Sequence, residues 1–343
     1  MKRILAMLLA LVMAFSLVAC GNQKDTPNDN DSTNDQQATT NPITLRICMS
    51  EVQTDTKCVI VKEVTDRITE RTDGRVKFDL YYSDALGSIG EVMEQMSLGG
   101  NIMGCTSGEQ WAAYGCPDMT ALNLMYVFPS TDAIMKFNDS DVFHEMTAQL
   151  ADNGITMFCM NWASAPRVVM STKPINSVDD LNNLILRVPS TPYAAFFEAM
   201  GAATTSMAFS EIYNAMQSDI VEACEAPLST LYGYSIQEVA KYIFMSEHSY
   251  ASGCFGMATA IWNQISAEDQ AIIVEEFSEG GKTFSEQSLA ANADFIAKME
   301  DAGVTIVYPS DSDKAAMSAA SAKSFEAFPE LSEGLLERIQ ATF

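Results

Sequence analysis

From residue 43 onward, short runs of branched and aromatic residues alternate with stretches whose apolar positions recur at helical spacing. This alternation restricts the fold more than any other feature. ITLRICM, RVKFDLYY, NIMGCT, ITMFCMNWA, RVVMS, LILRVP, DIVEACEA, CFGMATAIW and VTIVYP read as strands. Residues 56–72, 131–152, 209–217 and 228–245 read as helices between them. Strands and helices in turn mark an α/β protein. The longest helical tract, 266–301, opens on Ser266 with Asp269 in a capping arrangement and is stopped by Gly303. A tract of that length is expected to kink or to pass from one domain to another. Pro227 opens a helical stretch directly after DIVEACEA, a chain crossing of the kind that joins two lobes. With 343 residues, the chain is also longer than a single core usually serves.

The first twenty residues are a targeting segment. MKR gives a positive start, and ILAMLLALVMAFS is an apolar stretch too short to span a membrane comfortably. LVAC follows, which resembles the bacterial lipobox; its cysteine, here Cys20, would become the lipidated first residue of the mature protein. An ordinary signal peptide cut nearby and an uncleaved anchor are the other two readings, and all three export the chain. Residues 21–42 carry almost no apolar side chain, so ordering them would cost entropy that burial does not offset. They read as a disordered tether of about 20 residues with a root-mean-square reach of roughly 25 Å. The folded part is therefore expected just above a membrane surface.

The formal charge is −25, with only 20 basic residues. That balance argues against a nucleic-acid partner, which needs clustered Lys and Arg. It leaves an anionic small molecule possible, because a small site needs only local cations. Setting Cys20 aside leaves Cys48, Cys58, Cys105, Cys116, Cys159, Cys224 and Cys254, with no C-x-x-C pair. Neither a disulfide framework nor a zinc ribbon is indicated. The two histidines, His144 and His248, lack a metal-ligand neighbourhood. No nucleophile elbow and no phosphate-binding P-loop occurs, and LGG at 98–100 is a poor dinucleotide fingerprint. No cofactor or metal is expected, and no catalytic residue is located.

What remains is a binding constellation. LILR is the apolar run of a strand covered on both faces, and Arg187 falls at its carboxyl end, where ligands of open α/β sheets sit. Pro189 lacks a ladder donor and ends the strand. An arginine there presents a planar fork suited to a carboxylate, although a structural salt bridge is the alternative reading. Arg167 opens another strand shortly after Trp162, and reads as a second binding cation or as a surface charge. Phe209 precedes the N-cap Ser210, and reads as a pocket aromatic or as a hydrophobic staple.

At this point the sequence resembles a known family. LILRVPS, the Gly201–Ala202 pair and MAFSEIYNAMQ are similar to the substrate-binding proteins of TRAP (tripartite ATP-independent) transporters. Glu225, Pro227, Val239, Lys241, Tyr242 and His248 match further positions of that pattern, and TDGRVKFDLYYSDALGSIGEVMEQMSLG resembles an upstream block. The resemblance covers about residues 43–343. It implies a two-lobed periplasmic-binding-protein-like α/β fold, hinged by crossing strands and a long helix. Lobe I would comprise 43–164 plus about 252–290, and lobe II 165–251 plus about 291–343. It implies a carboxylate salt bridge at Arg187, a second contact at Arg167 and an aromatic lining at Phe209. Glu225, Ser107, Glu109 and Trp162 are the further pocket candidates. Where the family often has Asn, this chain has Ala226. The implied partners are a small organic acid, integral-membrane permease subunits and, through Cys20, a membrane surface. A ligand-sensing co-receptor, an ABC-type binding protein and an exported enzyme are the rival functions.

Overall fold

Eleven strands form two sheets in a computed structural model that describes residues 42–343; the leader, Cys20 and all but the last residue of the predicted tether lie outside the described residues. The strands are β1 (Ile43–Cys48), β2 (Val76–Tyr81), β3 (Met103–Thr106), β4 (Ile155–Ala163), β5 (Arg167–Ser171), β6 (Ile185–Val188), β7 (Ala203–Ser206), β8 (Ala223–Pro227), β9 (Tyr242–Phe244), β10 (Ser252–Ala258) and β11 (Thr305–Val307). The first sheet runs β2-β1-β3-β10-β4 and the second β11-β9-β5-β8-β6-β7. β10 is antiparallel to both of its neighbours, and so is β5.

This topology places the connections. The chain leaves the first sheet at the carboxyl end of β4 and enters the second at β5 after three intervening residues. It returns between the carboxyl end of β9 and the start of β10. Backbone hydrogen bonds tie the two crossings together, Ser164 N to Ala251 O and Arg167 N to Ser249 O, each 2.9 Å. The carboxyl edges of both sheets therefore face the crossings, and the space between the lobes opens there.

The third connection is the 35-residue helix Ala267–Asp301, about 52 Å long at 1.5 Å per residue. The Ser266 hydroxyl caps it, accepting from Asp269 N at 3.1 Å, and Gly303 ends the turn that follows at a φ of +77°. Its first half packs Ile273, Phe277 and Phe284 into the core of β1, β3, β4 and β10; its last turns carry Met299 into the core of the second sheet. Arg67 and Arg71 of the helix Thr56–Arg71 bind Glu276, and Arg75 binds Asp269, which fixes the start of the long helix on the first lobe.

Several expectations change in detail. The predicted helix 228–245 is instead Leu228–Gly233, Ile236–Val239 and the strand β9. Ser235 turns through a left-handed φ of +58°, and the aromatic YIF stretch finds a place between β5 and β11 that a helix would not use. The predicted helix 131–152 divides at Ser140, which caps the second piece. The chain end also departs from lobe II. Helix Asp311–Phe325 packs on the second lobe, but Phe328, Leu335 and Ile339 join the core of the first, where Arg338 pairs with Glu145. Conversely, Met125 and Tyr126 reach into the second core. The seven cysteines of the described residues are unpaired, and all but Cys105 are buried.

Candidate functional site

β6 and β8 run parallel, so Arg187 and Glu225 approach the same sheet edge from their carboxyl ends. β5 runs the other way, which brings its first residue, Arg167, opposite Pro227 at that edge. Strand direction alone thus assembles residues that lie far apart in the chain.

The two arginines differ in their company. Arg167 forks onto Glu225, with Nε to Oε2 at 2.5 Å and Nη2 to Oε1 at 2.6 Å, and Nη2 also donates to the Glu225 carbonyl at 3.0 Å. Burial opposes charge on both groups. The pair outweighs it, raising the Arg167 guanidinium and holding the Glu225 carboxyl below the usual carboxylate range. The ionised Glu225 only accepts, so His248, 3.0 Å away, donates through Nε2; its Nδ1 then accepts from the Ser246 hydroxyl at 2.8 Å. Burial holds the His248 imidazole below its ordinary value, with Glu225 offsetting part of the effect. Phe196, Phe197 and Tyr193 surround the ring.

Arg187 is only 5 % exposed, yet its Nε and Nη2 both donate to one acceptor, the Met207 carbonyl, at 3.0 and 2.8 Å. Among the described residues it forms no ion pair with a carboxylate. Burial pushes its guanidinium down, Glu225 nearby offsets part of this, and the like charge of Arg167 adds to it. Aromatic faces cover both cations: Phe209 lies 5.3 Å from the Arg187 guanidinium carbon and Tyr193 lies 5.1 Å from that of Arg167. Phe209 opens a short 3-10 turn and meets Tyr234 edge-on at 4.9 Å, so it contacts both that ring and the arginine.

From the first lobe, Ser107 and Glu109 lie at the start of the helix Gly108–Ala112, just past the carboxyl end of β3. Glu109 Oε2 is buried without a hydrogen-bond partner, and so is the Ser190 hydroxyl of the second lobe. Burial pushes the Glu109 carboxyl up. Its charge is felt by Arg167 and Tyr193. The structure therefore brings Arg187, Arg167, Glu225 and Phe209 together at the carboxyl edge of the second sheet, with Glu109 of the first lobe near enough for its charge to reach Arg167, and Ser107 beside Glu109.

Trp162 is not among them. It is fully buried, its indole N–H donates to Phe277 O at 2.9 Å, and its ring packs on Phe255 and Phe284 beneath the long helix. Nearness in sequence to Arg167 suggested the cleft, but the alternation of β4 turns Trp162 into the core. Ala226, at the position where the family often has Asn, is buried opposite Val168 in the sheet. Sequence reasoning missed Tyr193, Tyr234, Glu51 and Lys57. The last two follow the carboxyl end of β1, so the rule that singled out Arg187 also points to them.

Known proteins share this fold. The family model for bacterial extracellular solute-binding protein, family 7 (DctP) matches residues 49–330. The sialic acid-binding periplasmic protein of Vibrio cholerae is 26 % identical over 72 % of this chain and 77 % of its own length. The 2,3-diketo-L-gulonate-binding periplasmic protein of Escherichia coli is 27 % identical over 80 % and 83 %. A TRAP periplasmic solute-binding protein from Ochrobacterium anthropi, solved with bound L-fuconate, superposes with a TM-score of 0.80 at 27 % identity, covering 88 % of this chain and 99 % of that one. These relatives are binding proteins and not enzymes, and the chain belongs to bacterial extracellular solute-binding protein family 7, the substrate-binding proteins of TRAP transporters.

Proposed function

We propose that the protein captures a small organic acid through a salt bridge to Arg187, closes its lobes over it and presents it to an integral-membrane TRAP permease. The observation that carries this reading is a buried guanidinium without a carboxylate, beside an equally placed arginine that has one. A buried cation left unpaired is costly, and an incoming carboxylate supplies the missing partner. Arg167, held by Glu225, shapes the pocket and assists. The relatives named for sialic acid, diketogulonate and fuconate support the ligand class. Closure excludes water and strengthens the contact. At an effective dielectric near 20, a charge pair at ~4 Å is worth roughly 4 kcal/mol, against about 1 in bulk water.

Calorimetry of Arg187→Ala with a carboxylate bound by the wild type tests this. Binding is expected to weaken by at least about 2–5 kcal/mol while the fold survives. Near-wild-type affinity in the folded variant overturns the reading. Arg187→Lys is expected to bind more weakly than wild type, because a point charge does not reproduce the fork.

We further propose that Cys20 carries a lipid that holds the protein at the outer face of the cytoplasmic membrane. LVAC and the polar segment behind it support this. Cys20→Ser is expected to move the protein from the membrane fraction to the soluble one; retention on the membrane would rule the anchor out.

A further inference from the structure

The chain is acidic just past the carboxyl ends of the first sheet's strands. Glu51 and Asp55 follow the carboxyl end of β1 and Asp84 that of β2. Backbone hydrogen bonds from Ser83 N to Glu51 O and from Asp84 N to Met49 O, 3.0 and 3.1 Å, make these two ends one surface. Glu109 continues it past β3, with its Oε2 buried and unpartnered. Among residues 49–57, 82–88 and 106–112 the one cation is Lys57, and it is already engaged. Its ammonium donates to Glu51 at 2.5 Å, its side chain is 19 % exposed, and the Phe284 ring lies 5.6 Å away. Burial opposes the charge on Lys57, yet Glu51 holds it well above its ordinary value.

The two walls are joined by aromatic rings. Phe209 covers Arg187 and meets Tyr234, and the Tyr234 phenol, pushed up first by burial, also feels Glu51, Asp84 and Asp55. The rings run from Arg187 through Phe209 to Tyr234, which lies close enough to the acids of the first lobe to feel their charge. Burial also pushes the Asp55 and Glu109 carboxyls up, and the Glu51 charge is already engaged by Lys57.

Resting on the reading that Arg187 takes a carboxylate, we propose that Glu51 sets the ligand class by neutralising Lys57. The site then takes a monocarboxylate whose far end carries hydroxyl donors, and it rejects a dicarboxylate. Hydroxyls donate to Glu51 and Glu109. A second carboxylate meets acids and no available cation, which is selection by repulsion.

Calorimetry with L-fuconate, L-galactonate, succinate and 4-aminobutyrate tests the proposal. In the wild type, at least one hydroxy acid is expected to bind at least about tenfold more tightly than succinate or 4-aminobutyrate. Glu51→Gln releases Lys57 and is expected to move the hydroxy-acid-to-succinate ratio by at least about tenfold toward succinate. Lys57→Met leaves the wall acidic and keeps succinate at least as far behind. Tighter binding of succinate or 4-aminobutyrate by the wild type, an unchanged ratio in folded Glu51→Gln, or a ratio that collapses in Lys57→Met overturns the proposal. If Glu51→Gln does not fold, the wild-type ratio and Lys57→Met still decide. Failure of the underlying reading looks different: the acid binds, but Arg187→Ala leaves its affinity unchanged.

Discussion

Arg167 and Arg187 reach one sheet edge from strands of opposite direction, and each lies beneath an aromatic ring. Their tasks separate because Glu225 points at only one of them. The strand position of Arg187 was legible in LILRVP, since an apolar run that ends in an arginine and a proline has few places to put its charge. The neutralisation of Arg167 was not, because it depends on β5 and β8 becoming neighbours across 58 residues of chain. The same cluster makes stability pH-dependent. As pH falls below 6.5, the ordinary histidine value, the unfolded chain protonates His248 while the folded protein, whose imidazole is held lower, does not. The unfolded state then binds more protons, so stability falls with pH in the window between 6.5 and the lower folded value. Glu225 acts in the same sense in a more acidic range: its contribution is present above 4.5 and is lost as pH falls through its depressed folded value. The urea midpoint is expected to drop between about pH 7.5 and about pH 5.5, by no more than about 1.4 kcal/mol per pH unit for one histidine. His248→Asn is expected to flatten most of that drop; an equal drop in the variant would place the titration elsewhere.

At the scale of the elements, the long helix illustrates how packing overrides propensity. Its interior carries Gly280 and Gly281, each costing about 1 kcal/mol relative to alanine in a helix. A Cβ at Gly280 would stand 2.5 Å from Val64 Cγ2 and 2.9 Å from the Trp162 ring, and one at Gly281 would stand 2.3 Å from the Asn161 amide. The two glycines let the helix lie directly on β4, which holds the Trp162 ring in place. Gly280→Ala is therefore expected to destabilise the protein despite its better helix propensity, since overpacking costs about 1–3 kcal/mol. Gly90→Ala, in the helix Ile89–Ser97 where a Cβ meets nothing within 4 Å, is expected to be neutral or to stabilise by about 0.5 kcal/mol. Urea unfolding of the two variants checks both signs. The helix ends were readable from Ser266 and Gly303, because caps are local chemistry. Strand β9 was not, because YIF becomes a strand only through its neighbours β5 and β11.

For the whole molecule, three chain passages and the returning C-terminal segment join the lobes, so binding at the cleft and movement of the lobes are expected to be one event. Saturation with a bound hydroxy acid is expected to lower the radius of gyration in small-angle X-ray scattering, and Arg187→Ala is expected to abolish that change at the same ligand concentration. A contraction without ligand dependence would detach Arg187 from closure. The sequence by itself determined the α/β class, the long helix and the strand-end position of Arg187, while the two lobes came from its family resemblance. Each rests on periodicity, caps and breakers, or motif spacing, all of which act between residues close in the chain. Only the tertiary structure decided that Glu225 neutralises Arg167, that Trp162 belongs to the core and that Glu51 holds Lys57 against the opposite wall. It also decided that the chain end returns to the first lobe. Those outcomes depend on strand order and side-chain direction between distant segments, and no local pattern encodes which charge will find which partner.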